Sequence, residues 1–211
     1  MSNETKLACA IMALHIPCHP VNLGHSQKIG AYRMNETGNV CVFSPCRTWR
    51  YTLRHSWMDV FDIEERPIVW IALNPSTADE NQLDPTLRRI RGYSKAWGYN
   101  TFYMLNLFAY RATDPQDMRR AADPIGPEND KWILEIARKS DLVMCAWGRH
   151  GLFNNRQDQV LNLLQGFNLC YLEKTGDGIP KHPLYLKSDL VPKPLRIDST
   201  TEWRSFLQRR I

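Results

Sequence analysis

The strongest constraint on how this chain can fold is the apolar run Ile68-Val69-Trp70-Ile71-Ala72-Leu73, which stops at Asn74-Pro75-Ser76. A continuous apolar run of strand length fits a strand buried on both faces, as parallel strands are. Beyond the polar loop, Asp84-Pro85 opens a helix, with Asp84 as cap and Pro85 in the first turn. A buried strand that delivers a polar loop to a sheet edge points to an α/β protein, whose chemistry sits beyond the carboxyl ends of its strands.

The same delivery recurs. Strands are expected over residues 68–73, 101–107, 142–147 and 168–172, and helices near 85–96, 115–122, 127–139 and 155–165. Asp114-Pro115 and Gly126-Pro127 open two of those helices much as Asp84-Pro85 does. Crossover helices between parallel strands imply a three-layer αβα arrangement around a four-stranded, mainly parallel sheet. Upstream, Ala31-Tyr32-Arg33, Val40-Cys41-Val42-Phe43 and Tyr51-Thr52-Leu53-Arg54-His55 alternate like strands, and Asn35 to Asn39 suits a hairpin turn. They predict an antiparallel addition at a sheet edge. The organisation expected is an N-terminal extension with edge strands over 1–57, a catalytic core over 58–195 and a basic tail over 196–211, within one compact domain.

With 211 residues, 43% of them hydrophobic, the chain can bury a core of that size. No apolar run reaches the length of a membrane span. Residues 7–16 are mildly apolar but interrupted by His15, and read as no signal peptide. The six cysteines lack the density of a disulfide scaffold, so a reducing cytoplasm is expected. Cys145 and Cys170 sit in apolar, strand-like runs. Cys9, Cys18, Cys41 and Cys46, with His19 and His25, could be weighed as zinc ligands, but their spacing is not a zinc signature, and no metal or cofactor is expected.

The net charge is +5 and unevenly spread. Arg88, Arg89, Arg91, Lys95, Arg111, Arg119 and Arg120 face only Asp114 and Asp117 between residues 86 and 120, and residues 181–211 carry seven cations against three acids. Such clusters suit a phosphate backbone, or a solvated helix face and tail.

In a parallel sheet the strand ends that carry Asn74, Asn106 and Trp147 meet at one edge. An amide at Asn106 can donate and accept, which suits reading a nucleobase edge, or it can cap the loop by bonding backbone. Trp147, in Trp147-Gly148-Arg149-His150-Gly151, could stack on a planar ligand or plug the core. His182, in the loop Gly176 to Pro183, could stabilise an anion or remain a surface residue. Asp84 reads as a cap, while Asp79 could orient water or the loop from residue 74.

The motifs from Leu73-Asn74-Pro75-Ser76-Thr77-Ala78-Asp79 through Asp84-Pro85-Thr86, Asn106 to Pro115, Asp123 to Asp130, Trp147-Gly148 and Lys181-His182-Pro183-Leu184-Tyr185-Leu186 resemble the DUF1643 family of uncharacterised bacterial and phage proteins. Their order also resembles, more distantly, the uracil-DNA glycosylase superfamily. That resemblance implies that Asn74-Pro75 positions water, Asn106 reads an extruded base and His182 stabilises the departing base anion. Leu184 stands where that superfamily has serine, and Asn74 where many members have aspartate, so general-base help would be weak or would come from Asp79.

The function this implies is a monofunctional DNA glycosylase that excises uracil or a modified pyrimidine, in DNA repair or phage–host conflict. Its catalytic residues would be Asn74, His182 and Asp79. Pro75, Ser76, Asn106, Phe108, Tyr110 and Trp147 would hold the substrate. Arg88, Arg89, Arg91, Arg111 and Lys181 would hold the DNA backbone. The alternatives are an enzyme acting on free nucleotides or nucleosides and a non-catalytic DNA-binding module.

Overall fold

The computed structural model describes residues 31–34, 39–76 and 83–196. Over the described residues the chain is a mixed α/β protein built on an eight-stranded sheet. Its strands are β1 (Ala31–Met34), β2 (Val40–Phe43), β3 (Arg50–Ser56), β4 (Pro67–Ala72), β5 (Thr101–Asn106), β6 (Val143–Cys145), β7 (Leu169–Tyr171) and β8 (Lys193–Pro194), in the spatial order β1-β2-β3-β5-β4-β6-β7-β8. β5, β4, β6 and β7 run parallel to their neighbours. β1, β2 and β3 extend that group antiparallel on one side, and β8 does so on the other.

The sheet is thus mixed: the four parallel strands expected are joined by the antiparallel N-terminal addition on one edge and by β8 on the other. The N-terminal addition is continuous with it, because β3 pairs directly with β5 through Leu53–Met104 to Ser56–Thr101. β8 was not expected at all. It is two residues long, and its Pro194 is tolerated because an edge strand leaves one side without a ladder. The turn expected at residues 35–39 lies almost wholly outside the described residues.

Alternate residues of β4 enter different cores. Val69 and Ile71 belong to one cluster, Ile68, Trp70 and Ala72 to the other, and all are buried. Helix α1 (Pro85–Ala96) covers the second cluster with Leu87, Ile90 and Tyr93. There the Trp70 indole N–H donates to the buried Ser94 hydroxyl at 3.1 Å. Helices α2 (Pro115–Arg120), α3 (Asn129–Ala137) and α4 (Arg156–Leu163) supply Met118, Trp132, Ile133, Ile136, Val160 and Leu161 to the first. Among the described residues no helix is long and apolar enough to cross a membrane.

The caps follow the expected chemistry. Asp84 accepts from the Leu87 N–H at 2.8 Å, with Pro85 in the first turn of α1. Asp114 accepts from the Gln116 N–H at 2.8 Å before Pro115 opens α2. Each satisfies an amide that the helix itself leaves orphaned.

Candidate active site at the carboxyl edge of the sheet

The loops that leave β4, β5 and β6 are stitched to one another. Leu107 and Phe108 N–H groups donate to the Ala72 and Leu73 carbonyls at 2.9 Å each, and Ala146 N–H donates to Ile71 at 2.8 Å. Ala112 N–H donates to Pro75 at 3.0 Å. The loop that carries His182 docks through Gly148, whose N–H donates to the Pro180 carbonyl at 2.9 Å. Gly148 has φ +69°, and a Cβ there would sit 3.9 Å from the His182 Cβ. Glycine suits the left-handed backbone that brings the two loops together.

These loops enclose a cavity of about 520 Å³ lined by Asn74, Asn106, Trp147 and His182, together with Asp84 and Arg50. Four side chains from four separate segments therefore meet: Asn74, Asn106 and Trp147 follow strand ends, and His182 comes from the docked loop.

Asn106 is 1% exposed, and neither its amide nitrogen nor its amide oxygen has a hydrogen-bond partner. Holding the loop by backbone bonds falls instead to Asn129, whose amide nitrogen donates to the Asn106 and Leu107 carbonyls at 3.1 and 3.0 Å. Arg156 adds a bond from Nε to the Leu107 carbonyl at 2.8 Å. An unbonded amide in so buried a place costs about 1–3 kcal/mol, and a ligand in the cavity would repay it.

Asn74 is tied down by its amide nitrogen, which donates to the Ala112 carbonyl at 2.8 Å and to Pro75 at 3.2 Å. Its amide oxygen remains as the group that can meet a ligand. Asp84 spends one carboxylate oxygen on the helix cap and the other on the Ser76 hydroxyl, which donates at 2.6 Å. His182 caps the short 3-10 turn Pro183–Tyr185, its Nδ1 accepting from the Leu184 N–H at 3.4 Å. That assigns the proton of the neutral ring to Nε2. Burial holds the His182 pKa below the ordinary histidine range, against the opposing pull of Asp84.

A family model, that of a protein of unknown function (DUF1643), matches residues 50–184, from the first residue of β3 to just past His182. The chain belongs to the DUF1643 family. Every residue that lines the cavity falls within that span. No curated protein and no solved structure matches the chain.

Several other expected site residues of this DUF1643 protein lie elsewhere. Phe108 is fully buried in the core against Phe153, with ring centroids 5.8 Å apart, and does not line the cavity. Its place in a loop motif hid an apolar side chain that the core claims. Tyr110 bridges to Trp49 and faces a neighbouring groove. Trp147 does line the cavity, but it is 2% exposed and donates its indole N–H to Gln157 at 2.9 Å, so it forms a fixed wall. Pro75 is buried and contributes its carbonyl to the loop bonds; Ser76 lines the cavity.

Of the expected backbone contacts, Arg111 lines the neighbouring groove. Arg89 instead donates to the Leu186 carbonyl and lies over the Tyr93 ring at 5.1 Å, strapping α1 to the C-terminal loop. Arg91 lies over Trp57 at 5.6 Å, and Arg88 is exposed on α1 outside the cavity. Lys181 pairs with Glu173 at 2.9 Å. Asp79, Cys9, Cys18, His19 and His25 lie outside the described residues. Cys41 is buried and Cys46 exposed, and among the described residues no group of three His, Cys, Asp or Glu side chains is placed to hold a metal.

Sequence reasoning missed Arg50, which is 2% exposed on the cavity wall. The available signal was a cation at the head of the strand-like stretch Tyr51-Thr52-Leu53. Asp84 reads as a cap from its local sequence, and its place in the cavity wall is set by segments distant in sequence.

Proposed function

We propose that this DUF1643 protein is a monofunctional DNA glycosylase that removes uracil or a modified pyrimidine from DNA, on a three-layer αβα core resembling the uracil-DNA glycosylase superfamily. The observation that carries this reading is the Asn106 amide, buried and unbonded inside a cavity of about 520 Å³. A pyrimidine turned out of the helix would present a donor and an acceptor side by side, which one amide answers in full.

The other residues have complementary parts. The Asn74 oxygen would accept from a water on the sugar face opposite the base. The C1′–base bond breaks with its electron pair on the base, the water oxygen bonds C1′, and the water's proton ends on the released base. His182 Nε2–H would donate to the base oxygen on which charge gathers, stabilising the transition state more than the substrate. A neutral histidine suffices for that, consistent with its lowered pKa. Trp147 closes one wall against solvent. Repair of damaged DNA and attack on modified phage DNA, in a cytoplasmic protein, would both use this chemistry.

The test is an alkali-cleavage assay for abasic sites on uracil-containing, ordinary and hypermodified phage DNA. One DNA class should be cut. His182→Ala should slow the reaction by about 10²–10³-fold, the usual loss for one transition-state donor, and Asn106→Ala should slow it further on the preferred base than on others. No abasic product from any DNA defeats the proposal. Base release from nucleoside monomers as fast as from DNA would identify a nucleoside-processing enzyme instead.

A further inference from the structure

Beside the cavity lies a second, more open groove of about 710 Å³. The two share Ser76, Ala112 and Thr113 in their walls. Arg47, Arg111 and Arg120 line the groove, with Tyr110 and the Thr48 residue among its neutral members.

Two of these arginines are built into place. The Arg47 guanidinium lies 4.1 Å from the centroid of the Phe43 ring, and that of Arg111 lies 5.1 Å from the same centroid. Phe43 is fully buried, so the ring is a fixed support. Arg111 donates from Nη1 to the Arg47 carbonyl at 3.3 Å, and its backbone N–H donates to Thr48 at 3.1 Å. Arg47 holds a left-handed backbone, φ +59°, in the tight turn closed by its N–H to the Ser44 carbonyl at 2.9 Å. A non-glycine residue adopts that conformation at a cost. Among the described residues neither Arg47 nor Arg111 has a carboxylate partner, and the Arg111 Nε is buried without a hydrogen-bond partner. The carboxylate in the lining, Asp117, pairs with Arg120 at 3.5 Å.

Two uncompensated guanidiniums gathered on one ring raise the energy of the empty groove, and an oxyanion lowers it. We propose that Arg47 and Arg111 form a phosphate-binding subsite, which holds the phosphodiester next to the nucleotide whose base enters the cavity. This rests on the glycosylase reading for the identity of the phosphate's owner. The shared walls set the phosphate beside the base pocket, as consecutive parts of one nucleotide require. Arginine forks match phosphate oxygens in pairs, which fixes register along the strand.

The experiment is fluorescence anisotropy of a labelled single-stranded deoxyoligonucleotide on the whole protein, titrated at several salt concentrations. Arg47→Gln with Arg111→Gln should weaken binding at least about tenfold and lower the salt slope by about 1.4, the single-strand value for two cations lost. Lys95→Gln with Arg138→Gln removes the same charge from helix ends that do not line the groove, and should leave affinity within about twofold. Arg47→Lys with Arg111→Lys keeps the charge and should recover the slope but not the full affinity; it also serves if the glutamine pair does not fold. Competition by thymidine 5′-monophosphate at concentrations where inorganic phosphate does not compete would assign the phosphate to a free nucleotide. Failure of that competition assigns it to a strand.

The subsite is refuted if the oligonucleotide does not bind, or if the glutamine pair binds it as the wild type does with the same slope. Loss of binding in that pair without abasic product from any DNA would leave the subsite standing and remove the glycosylase reading. Abasic product with undiminished binding would do the reverse.

Discussion

Two asparagines near the end of β5 show how little residue type says about role. Asn129 is buried and spends its amide nitrogen on the Asn106 and Leu107 carbonyls. Asn106 is buried and spends its side chain on nothing. The first fixes the loop, and that frees the second to face the cavity. Cys46 is a residue-scale case with a direct readout. The Ser44 hydroxyl, 3.4 Å from its sulfur, and bonds from Thr48 lower its pKa to about 7. Only the thiolate alkylates. The rate of iodoacetamide labelling at exposed Cys46, followed by peptide mass spectrometry, should therefore rise through a midpoint near 7, and Ser44→Ala should move that midpoint upward. A midpoint that stays put in the variant would show that Ser44 is not the cause.

At the scale of elements, the site depends on loops that approach more closely than side chains would allow. Gly151 lies in the 3-10 turn after β6, and a Cβ there would sit 2.4 Å from Trp147 Cδ1 and 2.9 Å from Leu107 Cδ1. Neither neighbour yields easily: Trp147 is held by Gln157, and Leu107 is fully buried. Gly151→Ala should cost about 1–3 kcal/mol, seen as a lower urea midpoint at unchanged m-value. Gly92 in α1 meets nothing within 4 Å. Gly92→Ala should raise the midpoint, by about 0.5–1 kcal/mol of added stability. If both changes raised the midpoint, backbone freedom rather than packing would be deciding. The boundaries of α4 teach the same lesson. Its expected start at 155 falls where Asn154 and Asn155 both adopt left-handed backbone, so the helix begins only at Arg156.

For the whole molecule, the junction between the antiparallel strands and the parallel ones sets a pH limit. His55 on β3 packs against Phe102 on β5 at 5.4 Å between ring centroids. Burial first, then Arg91 and Arg54, lowers its pKa to about 4. The unfolded chain takes up that proton near pH 6.5. Because the folded pKa lies below the unfolded one, this contribution to stability is complete above about 6.5 and is lost as pH falls toward about 4. Between about pH 7 and about pH 4.5, His55→Gln should lose less of its urea midpoint than the wild type. Equal losses would place the acid-sensitive contact elsewhere. His182, lowered by burial too, adds to the same trend.

The sequence alone determined the elements whose signals are short-ranged. The run at 68–73 is β4 nearly residue for residue, and Asp84-Pro85 starts α1 where cap chemistry demands. It also determined which polar groups stand at strand ends, because strand polarity sets that, and so placed Asn74, Asn106 and Trp147 at one edge; docking of the Pro180 loop on Gly148 adds His182 to their cavity. Only the tertiary structure decided that the N-terminal strands continue the parallel group through β5 and that β8 adds a further edge, since edge pairing is stabilised by a partner distant in sequence. It likewise decided that Phe108 serves the core, that Arg89 serves α1, and that Arg50 and Asp84 face the cavity. Hydrogen bonding is satisfied or left open by atoms brought together across the fold. No window of sequence contains both partners, so no window could show that the Asn106 amide is left without any among the described residues.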